Sequence, residues 1–175
     1  MEVLLVAGLV MLVGGFSMII IGPALEARNV EMAVRTVSTQ MQLARQFSVD
    51  SRRRTRVRFT TPSTITVHEQ APVAEGSGWT QLSSVDLPGE MELNVEGGIS
   101  TGPEGFATSQ VANFLGASEV YFMPDGSAAT LAGLLTNGVV YVAQPSKVGT
   151  QRAVTLFGST GRIKRYKHIT GTEWE

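Results

Sequence analysis

The apolar and polar positions divide this chain into three regions with different periods. In the first region, residues 3–25 carry no charge, and nearly every position is apolar or glycine. As a helix rising about 1.5 Å per residue, this run is about 34 Å long, enough to cross a hydrocarbon core of about 30 Å. We therefore predict a membrane-spanning helix over residues 1–25.

Two other kinds of apolar segment fit this first region less well. A cleaved secretory signal has a basic start and a shorter apolar core, whereas no basic residue precedes Arg28 here. A helix buried on all sides needs a larger body around it than a chain of 175 residues supplies. The membrane anchor remains the favoured interpretation.

The second region has the period of an amphipathic helix. Apolar and small residues recur at spacings of four and three, which places them on one face: Val30, Val34, Val37, Met41, Ala44 and Ser48. Ala33 and Phe47 widen this stripe. We predict that residues 26–51 continue the first helix, end near Asp50–Ser51, and pack this face on the remainder of the chain.

The third region, residues 52–175, has a period of two and many turn residues, which predicts a β-rich domain. Two hairpins are the strongest predictions, residues 55–60 with 64–68 and residues 152–157 with 162–169. Further strands are predicted at residues 84–87, 91–95, 119–123 and 138–142. Residues 69–79 and 97–115 are predicted as loops, and residues 170–175 as a loose tail. The expected fold class is α+β, with a long N-terminal helix packed on an antiparallel sheet body.

Composition and charge narrow the classes of function. The chain has no cysteine, which excludes disulfides and cysteine-based metal or redox sites. The net charge of −1 hides a strong segregation. Residues 59–146 contain no Lys or Arg, and ten of the fourteen basic residues lie within residues 45–58 and 162–167.

Several short motifs, taken in their order along the chain, resemble a known group of proteins. Glu2 opens the apolar helix, and the helix ends with Leu-Ala-Arg-Gln-Phe at residues 43–47. Val-Arg-Phe follows at residues 57–59, Val-Tyr-Phe-Met-Pro-Asp-Gly at 120–126, and Val-Thr-Leu-Phe-Gly-Ser-Thr-Gly-Arg-Ile at 154–163. This arrangement resembles the type IV pilin-like proteins and, within them, is similar to the GspH/FimT family of minor pseudopilins.

The resemblance implies assembly rather than catalysis. Proteins of this family are single-pass inner-membrane proteins with the β body in the periplasm, and an inner-membrane assembly platform extracts them into a helical filament of pilins or pseudopilins. The basic leader, the glycine and the aromatic residue that precede the family's glutamate do not occur before Glu2. We therefore expect Met1 to lie inside the mature chain. Cleavage by prepilin peptidase and N-methylation are expected if a leader exists upstream.

Five residues of the first region are candidates for filament assembly. In the family, the glutamate that corresponds to Glu2 is thought to pair with the N-terminal amine of a neighbouring subunit; the alternative is an unpartnered carboxylate at the membrane surface. Gly14, Gly15 and Gly22, followed by Pro23, are expected to allow close helix packing or local melting during extraction. The alternative is the ordinary tolerance of glycine in membrane helices.

Two basic clusters are candidates for binding an anionic partner, and their members are Arg52, Arg53, Arg54, Arg56 and Arg58, and Arg162, Lys164, Arg165, Tyr166 and Lys167. Three interpretations stay open. In the first, the charges complement the helix dipole and protect a sheet edge from aggregation. In the second, they contact DNA phosphates, with the tyrosine available to stack on a base. In the third, they contact acidic neighbouring subunits. The Gly-Arg-Ile-Lys-Arg segment at residues 161–165 is similar to the segment through which some FimT-type minor pilins are thought to bind DNA.

Catalytic motifs find little support in this sequence. His68 and His168 lie in predicted strands without ligand-spaced partners, and Asp125 lies in a turn that lacks the repeated acids of a calcium loop. No catalytic, cofactor or metal site is predicted. The first hypothesis is a minor pseudopilin in a type II secretion pseudopilus or related filament, and the alternative is a DNA-binding minor pilin that acts in DNA uptake.

Overall fold

A computed structural model describes the backbone of residues 2–72, 78–170 and 172–175 and, within these ranges, the side chains from residue 25 onward. The first element is one continuous helix, α1, at Glu2–Ser51. The helix ends at Ser51, which confirms the end predicted near Asp50–Ser51. Among the described residues, no helical segment is long and apolar enough to span a membrane. The predicted span, residues 1–25, lies outside those described side chains except for Leu25.

The second half of α1 presents one buried face to the rest of the protein. Every position of the predicted stripe is buried, and the buried residues of the helix are Val30, Ala33, Val34, Val37, Ser38, Met41, Ala44 and Ser48. Phe47 was expected on this face but is 40% exposed. It lies at the side of the stripe, while the next residue, Ser48, is fully buried.

In the described residues after α1, ten antiparallel strands form two sheets of five. The first sheet has the order β3-β2-β1-β5-β6, and the second has the order β10-β9-β8-β7-β4. The strands are β1 Thr55–Thr60, β2 Thr64–Gln70, β3 Trp79–Asp86, β4 Ala112–Asn113, β5 Glu119–Phe122, β6 Ala128–Ala129, β7 Gly138–Val142, β8 Arg152–Phe157, β9 Arg162–Thr170 and β10 Glu173–Trp174. A short 3-10 turn lies at Pro103–Gly105.

Both predicted hairpins are confirmed, but the structure differs from the sequence prediction in one predicted strand, in the start of another and in the tail. The segment 91–95 forms a single bridge, between Glu92 and Ala143, instead of a strand. Strand β3 begins at Trp79, five residues before its predicted start. The tail is not loose, because Trp174 in β10 pairs with His168 in β9.

The main core lies between the buried face of α1 and the inner faces of both sheets. Val57, Phe122 and Val154 are among its fully buried members. A second, smaller core covers the opposite face of the second sheet, where Tyr141 lies under the loop that carries Phe106. Burial raises the pKa of Tyr141 to about 12. Because the described core begins at Val30, the segment 26–175 contains all of it.

A buried amide ties the loop after residue 93 to the second sheet. Gln151 is fully buried immediately before β8. Its Oε1 accepts a hydrogen bond from the Glu96 backbone N–H at 2.6 Å. Its Nε2 lies 3.3 Å from the Asn94 carbonyl oxygen, 3.3 Å from that of Val142 and 3.0 Å from that of Arg152. One side chain therefore joins a loop, β7 and β8.

Candidate functional site

The five candidate assembly residues all fall within α1. Glu2, Gly14, Gly15, Gly22 and Pro23 lie in the helical part of the chain whose side chains are outside the described residues. Their proposed contacts with other subunits therefore stay predictions.

The first basic cluster begins where α1 ends. Arg52 has a φ of 55°, the left-handed conformation that terminates a helix. Arg52, Arg53 and Arg54 line an open groove of about 460 Å³ together with Met123 and Pro124. The guanidinium groups of this turn lie at the negative end of the helix dipole, where cations are favourable.

Arg56 and Arg58 have different surroundings, on the outer face of the first sheet. Glu119 of β5 lies opposite both, with its Oε2 3.0 Å from Arg58 Nε and 3.9 Å from an Arg56 terminal nitrogen. The Arg56 guanidinium also stacks 4.8 Å from the Trp79 ring centroid. The Tyr121 hydroxyl donates to Glu119 Oε1 at 2.5 Å. These two arginines are thus held within an internal cluster.

The same cluster shifts the pKa values of its titratable groups. Burial alone would raise the pKa of Glu119, but its hydrogen bonds with Tyr121 and Arg58 and the charges of both arginines lower it below the usual value. The pKa of His68, which pairs with Arg56 in the β1–β2 register, is lowered by burial and then by the two arginines. Among the described residues, His68 Nδ1 has no hydrogen-bond partner.

The second basic cluster is divided by the alternation of β9. Lys164 and Tyr166 lie on the face that carries the small core, while Arg165 and Lys167 lie on the α1 side with Ile163. Arg162 begins the strand, with its guanidinium 4.4 Å from the Phe157 ring centroid. The predicted single patch therefore becomes two separate faces.

On the small-core face, an acid that the sequence analysis did not single out neutralises the cluster. Glu104, in the 3-10 turn, accepts hydrogen bonds through Oε1 from Lys164 Nζ at 3.1 Å and from the Tyr166 hydroxyl at 2.7 Å. Burial opposes ionisation of Glu104, but these bonds lower its net pKa. Glu104 is 60 and 62 positions from Lys164 and Tyr166 in the sequence, so no local pattern indicates this contact.

On the α1 face, a groove of about 410 Å³ runs between the helix and the second sheet. Glu31 contacts Arg165 at 3.5 Å and Arg35 at 3.9 Å. Arg152 lines the same groove, and its pKa is lowered by burial and partly restored by the charge of Glu31. Lys167 completes the basic lining. Arginine and lysine thus outnumber the acids in this groove.

The basic turn after α1 and the start of β9 come close together in space. The Arg45 Nε donates to the Gly126 carbonyl oxygen at 3.0 Å, and a Cβ on Gly161 would touch the Arg45 side chain. The turn between β8 and β9 therefore lies beside the last two turns of α1. Arg162 and the turn Arg52–Arg54 belong to the same end of the protein, which we call the distal end.

Within the described part of the chain, no three His, Asp or Glu side chains converge as metal ligands. The titratable groups with shifted pKa values are those of the two charge clusters, a tyrosine in the core, and Asp125, which Ser127 hydrogen-bonds. The arrangement consists of charged surfaces suited to contact with macromolecules.

Comparison with known proteins assigns the fold. No protein-family model and no curated protein matches the chain. Among solved structures, the chain is similar to the type IV minor pilin FimU of Pseudomonas aeruginosa, with a TM-score of 0.52 and 16% identity over 79% of this chain and 89% of that one. It is also similar to the minor pseudopilin EpsH of the type 2 secretion system of Vibrio cholerae, with a TM-score of 0.54 and 12% identity over 79% of this chain and 97% of that one. The pilin-like fold predicted from the sequence is confirmed.

Proposed function

We propose that this chain, which has a pilin-like fold, is a minor pseudopilin, a structural subunit of a type II secretion pseudopilus or a related type IV pilus-like filament. The observation that carries the proposal is α1, a single helix of 50 residues whose second half packs against both sheets. A helix of this length joins an apolar segment to a folded body without a hinge. The GspH/FimT resemblance of the sequence supports the same role.

The proposal assigns a place to each part of the chain. Residues 1–25 anchor it in the inner membrane, residues 26–51 carry the helix into the periplasm, and residues 52–175 form the periplasmic domain. Its partners are other pilins or pseudopilins and an inner-membrane assembly platform, with prepilin peptidase acting on a leader if one lies upstream. The proposed role requires no catalytic group or cofactor.

Glu2 is the residue through which this proposal is tested. A carboxylate at the edge of an apolar helix is costly in lipid unless a positive group compensates it. In a filament, the N-terminal amine of a neighbouring subunit would supply that charge, so Glu2→Ala should remove a contact specific to assembly.

The experiment compares Glu2→Ala with Asp50→Ala, which changes an exposed acid near the end of α1. The amount of each full-length variant in sheared filaments is measured against the amount in membranes. We expect Glu2→Ala to remain in the membrane and Asp50→Ala to enter filaments at nearly the wild-type level. Equal incorporation of both variants would refute the assembly role of Glu2.

A second candidate function, DNA binding during uptake, is favoured by the distal end. Arg52 and Arg53 are exposed, and Arg162 lies exposed at the same end of the protein. Together they form a surface for phosphate contacts that do not depend on sequence. Lys164 and Arg165 contribute less in this proposal because Glu104 and Glu31 already contact them.

A gel shift with the fragment 26–175 and double-stranded DNA at low salt tests this candidate. We expect a shift that weakens with Arg162→Ala, and weakens further when Arg52 and Arg53 are also changed to alanine. Arg35→Ala, an exposed arginine elsewhere on α1, is the matched control. Absence of a shift in the wild-type fragment, or equal loss with the control, counts against DNA binding.

A further inference from the structure

The loop at residues 145–149, which we call the base loop, is held against α1 at Glu26, close to the first described side chain of the helix. Lys147 Nζ forms an ion pair with Glu26 Oε1. The Gly149 N–H donates to the two carboxylate oxygens of Glu96 at 3.1 and 3.2 Å. Gln144 Nε2, just before the loop, donates to Glu90 at 2.9 Å. These contacts fix the loop at the level of Glu26 along the helix.

The base loop presents an apolar side chain to its surroundings. Val148 is 92% exposed, more than any other large hydrophobic residue among the described side chains. Ser146 and Gly149, with φ values of 65° and 84°, form the turns on either side of it. A single exposed apolar residue is ordinary on a protein surface. This one is informative because the neighbouring Lys147 pairs with Glu26, the residue that follows the 52% exposed Leu25.

The base loop lies where the proposed anchor ends. The apolar run of the sequence stops at Leu25, and Glu26 is the first charged residue after it. Since α1 continues through this point without interruption, the ion pair between Glu26 and Lys147 places the loop level with the end of the apolar run. A helix that spans a bilayer with residues 3–25 brings this level to the headgroup region.

We propose that the base loop is a membrane-contact element, in which Val148 enters the interface of the bilayer beside the point where α1 emerges. The proposal rests on the membrane anchor of the proposed function. Lys147 lies beside the same surface, where its ammonium group faces both Glu26 and lipid phosphates. The contact holds one side of the β body against the membrane and so restricts its rotation about α1.

The acidic residues around the loop limit the depth of this contact. Glu26, Glu90 and Glu96 surround the base loop, and ionised carboxylates are excluded from hydrocarbon. Only the tip of the loop therefore enters the interface, while the acids remain in water. This charge pattern distinguishes a shallow contact from a second membrane-embedded segment.

The absence of native cysteine allows a direct test. The full chain is reconstituted in phosphatidylcholine vesicles after Val148→Cys or Leu131→Cys is labelled with an environment-sensitive fluorophore. Leu131 is 64% exposed, so both labels begin on the surface. It lies after β6 in the same turn as Gly133, where an added Cβ would be 3.9 Å from the end of the Met123 side chain, and the Met123 carbonyl oxygen accepts a hydrogen bond from Ser48. At about 1.5 Å per residue, that level is about 33 Å along α1 from Glu26.

We expect the label at residue 148 to emit at shorter wavelength and to be quenched at least twofold more by nitroxide lipids than the label at residue 131. If the chain floats with the vesicles but the label at residue 148 is not quenched, the base-loop contact is refuted and the anchor stands. Strong and equal quenching at both positions also refutes it, because the body then lies flat on the membrane. A chain that does not float with the vesicles refutes the anchor together with this inference.

Discussion

Replacing Gln151 by methionine removes one amide from the buried junction between the second sheet and the loop at residues 94–96. Methionine has nearly the same length as glutamine, so the change deletes the hydrogen bonds without opening a large cavity. The Glu96 N–H, which donates to Gln151 Oε1 at 2.6 Å, loses its acceptor. The carbonyl oxygens of Asn94, Val142 and Arg152 lose a shared donor.

The expected cost follows from these lost bonds. A buried donor left without a partner costs about 1–3 kcal/mol, and each lost hydrogen bond contributes roughly 1 kcal/mol net. Val142 in β7 pairs with Arg152 in β8. The backbone pairing of these two strands does not involve the Gln151 side chain, so we expect the sheet to remain paired. We expect the free energy of unfolding to fall by about 2–3 kcal/mol, a large share of the roughly 5–15 kcal/mol of a typical domain.

Urea unfolding of the fragment 26–175, followed by circular dichroism, measures this change. With an m-value of about 1–3 kcal/mol/M, a loss of about 2–3 kcal/mol should lower the midpoint by about 0.7–3 M. Gln42→Met, at an exposed position of α1, is the matched control and should change stability by less than about 0.5 kcal/mol. If Gln151→Met unfolds at the same urea concentration as this control, the amide does not stabilise the junction.

Three further predictions concern packing and protonation. Phe122→Ala removes a fully buried ring from the main core and should lower the free energy of unfolding by about 3–5 kcal/mol in the same urea assay. Gly158→Ala puts a Cβ into the Thr136 backbone and should cost about 1–3 kcal/mol, measured as a lower thermal midpoint. Burial and two arginines lower the pKa of His68 in the folded protein. The unfolded chain therefore binds the proton more readily, and stability is lost as pH falls through 6.5, the ordinary value for histidine. His68→Gln should reduce the loss of thermal midpoint between pH 7.5 and pH 5.

Each of these predictions has a result that contradicts it. A change below about 1 kcal/mol for Phe122→Ala would mean that the ring is not confined by the core. If Gly158→Ala has the thermal midpoint of the wild type, the backbone at residue 158 and the backbone of Thr136 move apart without a cost in stability. Identical pH profiles for the wild type and His68→Gln would mean that the histidine titrates equally in the folded and unfolded chains.

Hydrophobic period predicted the elements whose side chains alternate between core and solvent. The stripe predicted the second half of α1 correctly because one face of the helix is buried from Val30 to Ser48. Strand β3 was recognised only in part because an edge strand with one solvated face tolerates a polar sequence such as Thr-Gln-Leu-Ser. At residues 91–95, Met91 and Leu93 are buried alternately without a ladder. Alternation of apolar and polar residues therefore indicates which side chains are buried, but it does not show that the segment pairs with a neighbouring strand.

The basic clusters were evident from the sequence, but their partners were not. Charge runs identify where cations are concentrated along the chain, whereas Glu104 and Glu119 reach them only after the sheets have formed. The alternation of β9 puts Lys164 and Arg165 on opposite faces, which the prediction of a single basic patch did not take into account. The contact between the turn after β8 and the end of α1 depends on how the second sheet packs, and no local pattern carries that information.

The packing of α1 has a mechanical consequence for any force applied along the helix. Its buried face, from Val30 to Ser48, contacts both sheets, so a force along the helix axis loads the whole interface in shear. Contacts loaded in shear yield together, whereas contacts that are peeled yield one after another. The helix and the β body therefore move as one rigid piece, and work done on the helix is transmitted to the body without unfolding it.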